Sequence, residues 1–464
     1  MFKHGYKGVE MKMFIILLIV FSLVFLSACQ SAPEPVSPDP QPTKEPFVEP
    51  IASTKDNKTN QQSVNFIKSE LPRETNPNVD ELEIKTLAED NTAFALAFYN
   101  QILSKDGNII FSPFSISLAL SMAMAGAETT TEQTMANALQ FSLTSNKIHP
   151  SFNALLLAIE ESQEQTPTDI EGSHFQLNMA NSIWGEEDFE FKAAFLETLA
   201  RQYGAGLFTV DFKENPEGAR LAINDWVAEE TEQKIRDIIP IGVINPFTRL
   251  VLANAIYFNG SWLYPFNENN TSDAPFYSLD GTESTVKMMH LYGKNLNYGK
   301  GENYQVVNLP YLSSDFSMTI ILPNLGSFEE FEAQLGLNKM ANILSNMSYT
   351  RADLQMPKFD FETDINANNV LIALGMGEAF DPEFADFSGI TDKEDLFITD
   401  VLHKATITVD ETGTEAAAAT AVLISITSAM PEEAISIIID RPFLFMIRHE
   451  TTDTILFLGR VLQP

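Results

Sequence analysis

The chain has 464 residues, 44% of them hydrophobic, and 29 Lys plus Arg against 63 Asp plus Glu give a net charge of −34. That apolar content suffices for one large core or two smaller ones. The charge argues against a nucleic-acid partner, because phosphate would be repelled, and the single cysteine, Cys29, excludes an internal disulfide framework.

Phe14 to Leu26 is an apolar run of thirteen residues behind Lys3, Lys7 and Lys12. It is too short for a comfortable membrane span. It ends in Leu26-Ser27-Ala28-Cys29, which resembles a bacterial lipobox. That resemblance implies a lipoprotein signal peptide over residues 1–28, acylation of Cys29 and an extracytoplasmic, membrane-anchored product. A plain signal peptide cleaved at Ala28 and an uncleaved anchor are the alternatives, and Met11 or Met13 is a candidate true start. Residues 29–84 then read as a tether. Seven prolines between Pro33 and Pro50, among Ser, Glu, Gln and Thr, bury too little apolar surface to fold. A short helix over 60–80, carrying Val64, Ile67 and Leu71, is a secondary expectation.

The folded chain opens with an amphipathic helix after Asn91, on which Phe94, Ala97, Phe98, Ile102 and Leu103 share a face. Ile109 to Phe111 is a short strand. Ser112-Pro113 starts a second helix, with proline in its permitted first turn, and a third runs from Thr131 to Leu139. Phe175 to Trp184 alternates as a strand, and Phe195 to Tyr203 and Leu221 to Lys234 are helical. Leu250 to Phe258 is apolar except for Asn254, the pattern of a central strand buried on both faces. Further strands are expected at 306–309, 316–322, 354–358, 405–409, 435–439, 443–448 and 455–461. Helices and strands are segregated rather than strictly alternating, and no repeat or interior linker interrupts them. The class is therefore α+β, in one domain over residues 85–464.

Several catalytic arrangements are missing. There is no Gly-x-Ser-x-Gly elbow. His449-Glu450 lacks the second histidine of a zinc-protease motif, since position 453 is Asp. The six histidines have no metal spacing, and Gly375-x-Gly377 lacks the setting of a phosphate loop. Neither an enzyme nor a cofactor or metal is expected.

The stretch from Val409 to Pro442 has two incompatible readings. Its alanine run favours a helix by propensity. By alternation, Thr414, Ala416, Ala418, Thr420, Val422, Ile424 and Ile426 form one face of a strand small enough to slip between two others. Glu411-Thr412-Gly413-Thr414-Glu415-Ala416-Ala417-Ala418-Ala419-Thr420 resembles the hinge of the serpin reactive-centre loop in its inhibitory form. The blocks 108–139, 178–266, 356–361, 374–420 and 441–463 resemble serpin segments in serpin order. The resemblance implies a serpin fold of three β-sheets, eight or nine helices and an exposed loop. It also implies a monomeric suicide inhibitor of serine proteases that traps an acyl-enzyme by strand insertion.

By the same resemblance His403 matches the histidine of the shutter, with Ser112, Ser115 and Asn254 as partners, and Trp262 matches the tryptophan of the breach where insertion starts. Counting from Gly413 places the reactive bond at Thr427-Ser428; counting back from Pro442 lands near Met430, which leaves Ala429 and Met430 as alternatives. Small or apolar residues there, with no Arg or Lys between Glu415 and Asp440, point to elastase- or subtilisin-like partners. A non-inhibitory serpin acting as a surface binding protein and a solute-binding lipoprotein are the rival readings.

Overall fold

The computed structural model describes residues 63–104, 106–167, 174–392, 396–414 and 433–464. The expectations for residues 1–28, Cys29, Glu415 to Thr420 and Thr427 to Met430 lie outside them. Strand β1 (Asn65–Ile67) comes first. Helix α1 (Glu81–Ile102) follows, started by a capping box in which Asp80 accepts from the Glu83 N–H and Glu83 from the Asp80 N–H. This start lies ten residues before Asn91, and the Asp80–Glu83 pair is its sequence signal. Residues 63–84, expected within the tether, thus hold a strand and the first turn of a helix. Pro72 and Pro77 interrupt the stretch expected to form a short helix.

Strand β2 (Ile109–Phe111) leads into α2 (Pro113–Met124), capped by Ser112 with proline at its first position. Helices α3 (Thr129–Ala138) and α4 (Ser145–Glu164) follow. The sequence reading missed α4, whose interior Pro150 reads as a helix breaker. Next come β3 (Phe175–Glu186), α5 (Ala193–Tyr203), β4 (Leu207–Val210), α6 (Pro216–Glu230) and β5 (Leu250–Ser261). Gly204, at φ 64°, closes α5 in the left-handed conformation.

The second half is strand-rich: β6 (Ser272–Tyr277), β7 (Glu283–Lys300), β8 (Tyr304–Pro310) and β9 (Phe316–Pro323) precede the short helices α7 (Phe328–Ala333) and α8 (Leu337–Ser345). Then come β10 (Ser348–Pro357), β11 (Phe359–Asn366), the single turn α9 (Asn368–Leu371), β12 (Ile398–Val409) and the two-residue β13 (Gly413–Thr414). Strands β14 (Ile435–Ile438), β15 (Phe443–His449) and β16 (Thr454–Val461) end the chain.

Among the described residues these strands form two sheets. The first runs β1-β4-β3-β5-β13-β12-β11, and β5 also pairs directly with β12. The second runs β14-β10-β7-β8-β9-β15-β16-β2, with β6 against β7. Two of the three expected sheets are therefore continuous, because the 18-residue β7 pairs with β6, β8 and β10. One core joins the two sheets and α1, α2 and α4; a second, built on Ala219, Ile223 and Val227 of α6, covers the other face of the first sheet. Strand β5 is buried on both faces, as its apolar run requires.

Ahead of α1, residues 65–74 bind across three elements. β1 pairs antiparallel with the edge strand β4, and Phe66 packs on Phe208 with ring centroids 4.7 Å apart. Lys68 Nζ donates to Gly204 O (2.6 Å), and Arg73 bonds Asn153 (2.8 Å) and Glu160 (2.7 Å) on α4. An edge covered in this way offers no free ladder to another chain.

The deepest ion pair joins the core to the C-terminal hairpin. Arg460 of β16 bonds Glu332 (3.1 Å), which also accepts from the Tyr99 hydroxyl (2.5 Å), with side-chain exposures of only 5% and 8% for the pair. Removing one partner strands a buried charge. Glu332→Ala is expected to cost about 3 kcal/mol in urea unfolding, whereas a loss below about 1 kcal/mol would show the Arg460 charge to be solvated by other means.

Candidate functional site

Three strands of the first sheet carry one polar row across its centre. In the parallel pairing of β12 with β5, His403 stands beside Asn254; in the antiparallel pairing of β5 with β3, Asn254 stands beside Asn181. Ser112 and Ser115 meet the row from the start of α2, where the Ser112 hydroxyl accepts from the Ser115 N–H (3.1 Å). Ser112, Ser115, Asn254 and His403, expected to meet, are all within 1% of full burial.

The hydrogen bonds fix every donor in this row. The Ser112 N–H donates to His403 Nε2 (3.0 Å), so that nitrogen carries no proton and Nδ1 does. Nδ1–H donates to Asn254 Oδ1, and Asn254 Nδ2 donates to Asn181 Oδ1 and to Ser115 Oγ (2.7 Å). The Ser115 hydroxyl donates to Asn181 Oδ1 (2.9 Å). Burial pushes the His403 imidazole down to about 3 from its ordinary 6.5. The sequence reading missed Asn181. Its signal was a second polar residue at the middle of a strand, legible only once β3 and β5 are in register.

Above the row the sheet parts. Direct pairing of β12 with β5 ends at Ala405–Ile256; beyond it β13 lies between them, Thr414 facing Gly260 on one side and Val409 on the other. A turn makes this possible: Asp410 N–H donates to Gly413 O (2.9 Å), and the Asp410 carboxylate accepts from the Thr412 N–H (2.8 Å). Gly413 has no alternative, since a Cβ there would stand 2.1 Å from Gly260 O.

Trp262 fastens this turn from below. Its indole stacks on Tyr311 (4.6 Å, 11°), its Nε1–H donates to Asp410 O (3.0 Å) and its backbone N–H to Thr412 O (2.9 Å). The buried hydroxyls of Tyr311 and Thr414 are 2.8 Å apart. Glu411, 6% exposed, pairs with Lys358 of β10 (2.6 Å) and accepts from Thr271 (2.6 Å). Burial raises the Glu411 carboxyl, but Lys358 and Thr271 outweigh it and hold the group below its ordinary value. Tyr311, Lys358 and Thr271 were not foreseen.

The arrangement holds no catalytic pairing. His403 is fully engaged and neutral, and among the described residues no cluster of His, Cys, Asp or Glu could hold a metal. It is a joint between two strands, with the first two residues of a further strand already seated.

A family model described as Serpin (serine protease inhibitor) matches residues 89–464. The leukocyte elastase inhibitor of Sus scrofa is 39% identical over 391 residues, 82% of this chain and 100% of that protein. A serpin-like protein of Thermococcus kodakarensis is 35% identical over 450 residues, 97% of this chain and 98% of the other. The solved structure of the thermophilic serpin tengpin in its native state superposes with a TM-score of 0.73 at 31% identity, covering 86% of this chain and 98% of that one.

Buried imidazoles give the fold an acid limit. His149 and His449 are pushed down to about 4 by burial, as His403 is to about 3. Below pH 6.5 the unfolded chain takes up these protons and the folded chain does not, so stability falls as pH drops toward those values. Asp400, raised by burial to about 6, opposes this between 3.8 and 6, where the folded state binds the extra proton. Three groups outweigh one. The melting temperature should fall steadily from pH 6.5 to 4.5, and His403→Gln should flatten the slope by up to about 1.4 kcal/mol per pH unit. An acid slope identical in wild type and variant would show that His403 is not neutral in the folded protein.

Proposed function

Since this chain belongs to the serpin family, whose members are protease inhibitors rather than catalysts, we propose that it is a suicide substrate of an elastase- or subtilisin-like serine protease. The observation that carries this reading is the seat of Gly413 and Thr414 between β5 and β12. A protease serine attacks the Thr427 carbonyl and the Ser428 amine leaves with a proton; Ala429 and Met430 are the alternative positions for the cut. Thr427 is then esterified to the enzyme, and the freed segment continues the strand that β13 begins. Serpin loop insertion is a known instance of strand addition to a sheet.

The register sets how far such a strand can run. Thr414 faces Gly260, so each further residue moves one step down β5, and Ile424 would come opposite Leu250 at its far end. Thr420 would come opposite Asn254 and between it and His403, where its hydroxyl can replace the bond that the parting strands lose. The small residues Ala416 and Ala418 enter without clash, and each step adds backbone hydrogen bonds worth about 1 kcal/mol apiece. Such stored energy can distort the enzyme before the ester hydrolyses. The lipobox at Cys29 and the proline-rich segment behind it further support an extracytoplasmic inhibitor held to a membrane by a lipid.

Incubation with subtilisin or pancreatic elastase should give an SDS-stable, higher-mass band and a cut mapped to 427–430, and nicking the loop should raise the melting temperature by tens of degrees. Cleavage without a stable band would favour a non-inhibitory binding protein. Thr414→Arg puts a charge where 1% of the side chain is exposed, and should convert inhibition into plain cleavage while the protein stays folded. Undiminished inhibition by that variant would dispose of insertion as the mechanism.

A further inference from the structure

The polar row at the centre of the sheet has a direction, and it ends in a cavity. Each proton along it is committed: from Ser112 N–H to His403, from His403 to Asn254, from Asn254 to Asn181. Asn181 must therefore turn its oxygen to the row and its Nδ2 away from it. That nitrogen is buried and has no acceptor. A buried donor without a partner costs about 1–3 kcal/mol.

Asn181 lines a cavity of about 350 Å³ between α2, α4 and β3. Its apolar wall is made by Leu118 and Met122 of α2, Leu156 of α4, and Leu177 and Met179 of β3. Ala205, just after α5, completes the wall, and the carboxylates of Glu160 and Glu230 are its more exposed lining. The volume is that of a small-molecule site, apolar with a single directing polar group. The two carboxylates and the net charge of −34 disfavour an anion. What fits is an apolar body with a neutral carbonyl, whose oxygen accepts from Asn181.

We propose that this cavity binds a neutral carbonyl compound of one or two rings and that the bound molecule holds the sheet closed. The second half rests on the insertion mechanism proposed above. Strand entry must break the His403–Asn254 contact. A ligand that takes the Asn181 N–H strengthens the chain of hydrogen bonds on which that contact depends, and since it is tied to the closed row, it shifts the equilibrium toward it. Insertion after loop cleavage is then slowed, and more encounters end in release of active protease.

Three probes of similar skeleton separate the chemistry: N-benzylbenzamide (neutral carbonyl), dibenzylamine (cationic, no carbonyl) and diphenylacetate (anionic). Calorimetry on the full chain should show N-benzylbenzamide binding at least tenfold more tightly than either of the others. Ala205→Trp, which fills the cavity, and Asn181→Asp, which removes the donor, should each abolish that binding; the first leaves the row itself intact. Equal affinity for the three probes, or binding retained by Ala205→Trp, would overturn the site. Saturating N-benzylbenzamide should slow the rise in thermal stability after loop nicking at least threefold, in wild type but not in Ala205→Trp. An unchanged rate would overturn the coupling alone. Absence of any rise without ligand would be a failure of the insertion reading, not of the site.

Discussion

His403 and Asn254 meet where two parallel strands close the middle of a sheet, and their hydrogen bond is dry, polar and unbranched. A parallel pair of strands already gains slightly less per residue than an antiparallel one. Here it also carries a histidine restricted to one tautomer, because the Ser112 N–H occupies Nε2. Such a joint is stable only while every partner is present. A residue that offered another hydroxyl at this level could replace the partner without leaving a buried group unsatisfied. An all-apolar seam would lack this property, since packing alone gives an entering strand nothing specific to exchange with.

The upper end of the same seam is already occupied. Thr414 sits where β5 and β12 have separated, and the Asp410–Gly413 turn is tied to Trp262, Phe266 and Lys358 by backbone and side-chain bonds. The entry point is thus specified by a rigid anchor above and a breakable one below. Gly413 is needed on this anchor because the backbone of Gly260 approaches too closely for any side chain. Glu411 lends its charge to the anchor, and its carboxylate is kept ionised in spite of burial by Lys358.

Ahead of the family-matched region, residues 65–74 join β4, the end of α5 and the side of α4 through a strand ladder and two charged residues. These elements flank the cavity that Asn181 lines, and Glu160 belongs to both. The strap, the cavity and the polar row therefore form one connected region on the side of the sheet away from β12. Movement of β3 relative to β5 must be accommodated there.

The sequence alone determined the fold class, because periodicity and burial are local facts. Leu250 to Phe258 is too apolar to be anything but a strand covered on both faces, Ser112-Pro113 can start a helix and do little else, and the hinge motif is contiguous. It also singled out Asn254 as a polar residue in an apolar strand. Strand β7 escaped it, since its half-exposed residues mix polar and apolar types without a clean period of two. Helix α4 escaped it because Pro150 sits inside the helix. What only the tertiary structure decided is register: that Asn181, Asn254 and His403 share one row, that Thr414 lies opposite Gly260, and that Tyr311 and Lys358 come to the hinge from distant strands. Pairing between strands far apart in sequence is fixed by the packing of the whole core, and a shift of one residue would send each of these side chains to the opposite face.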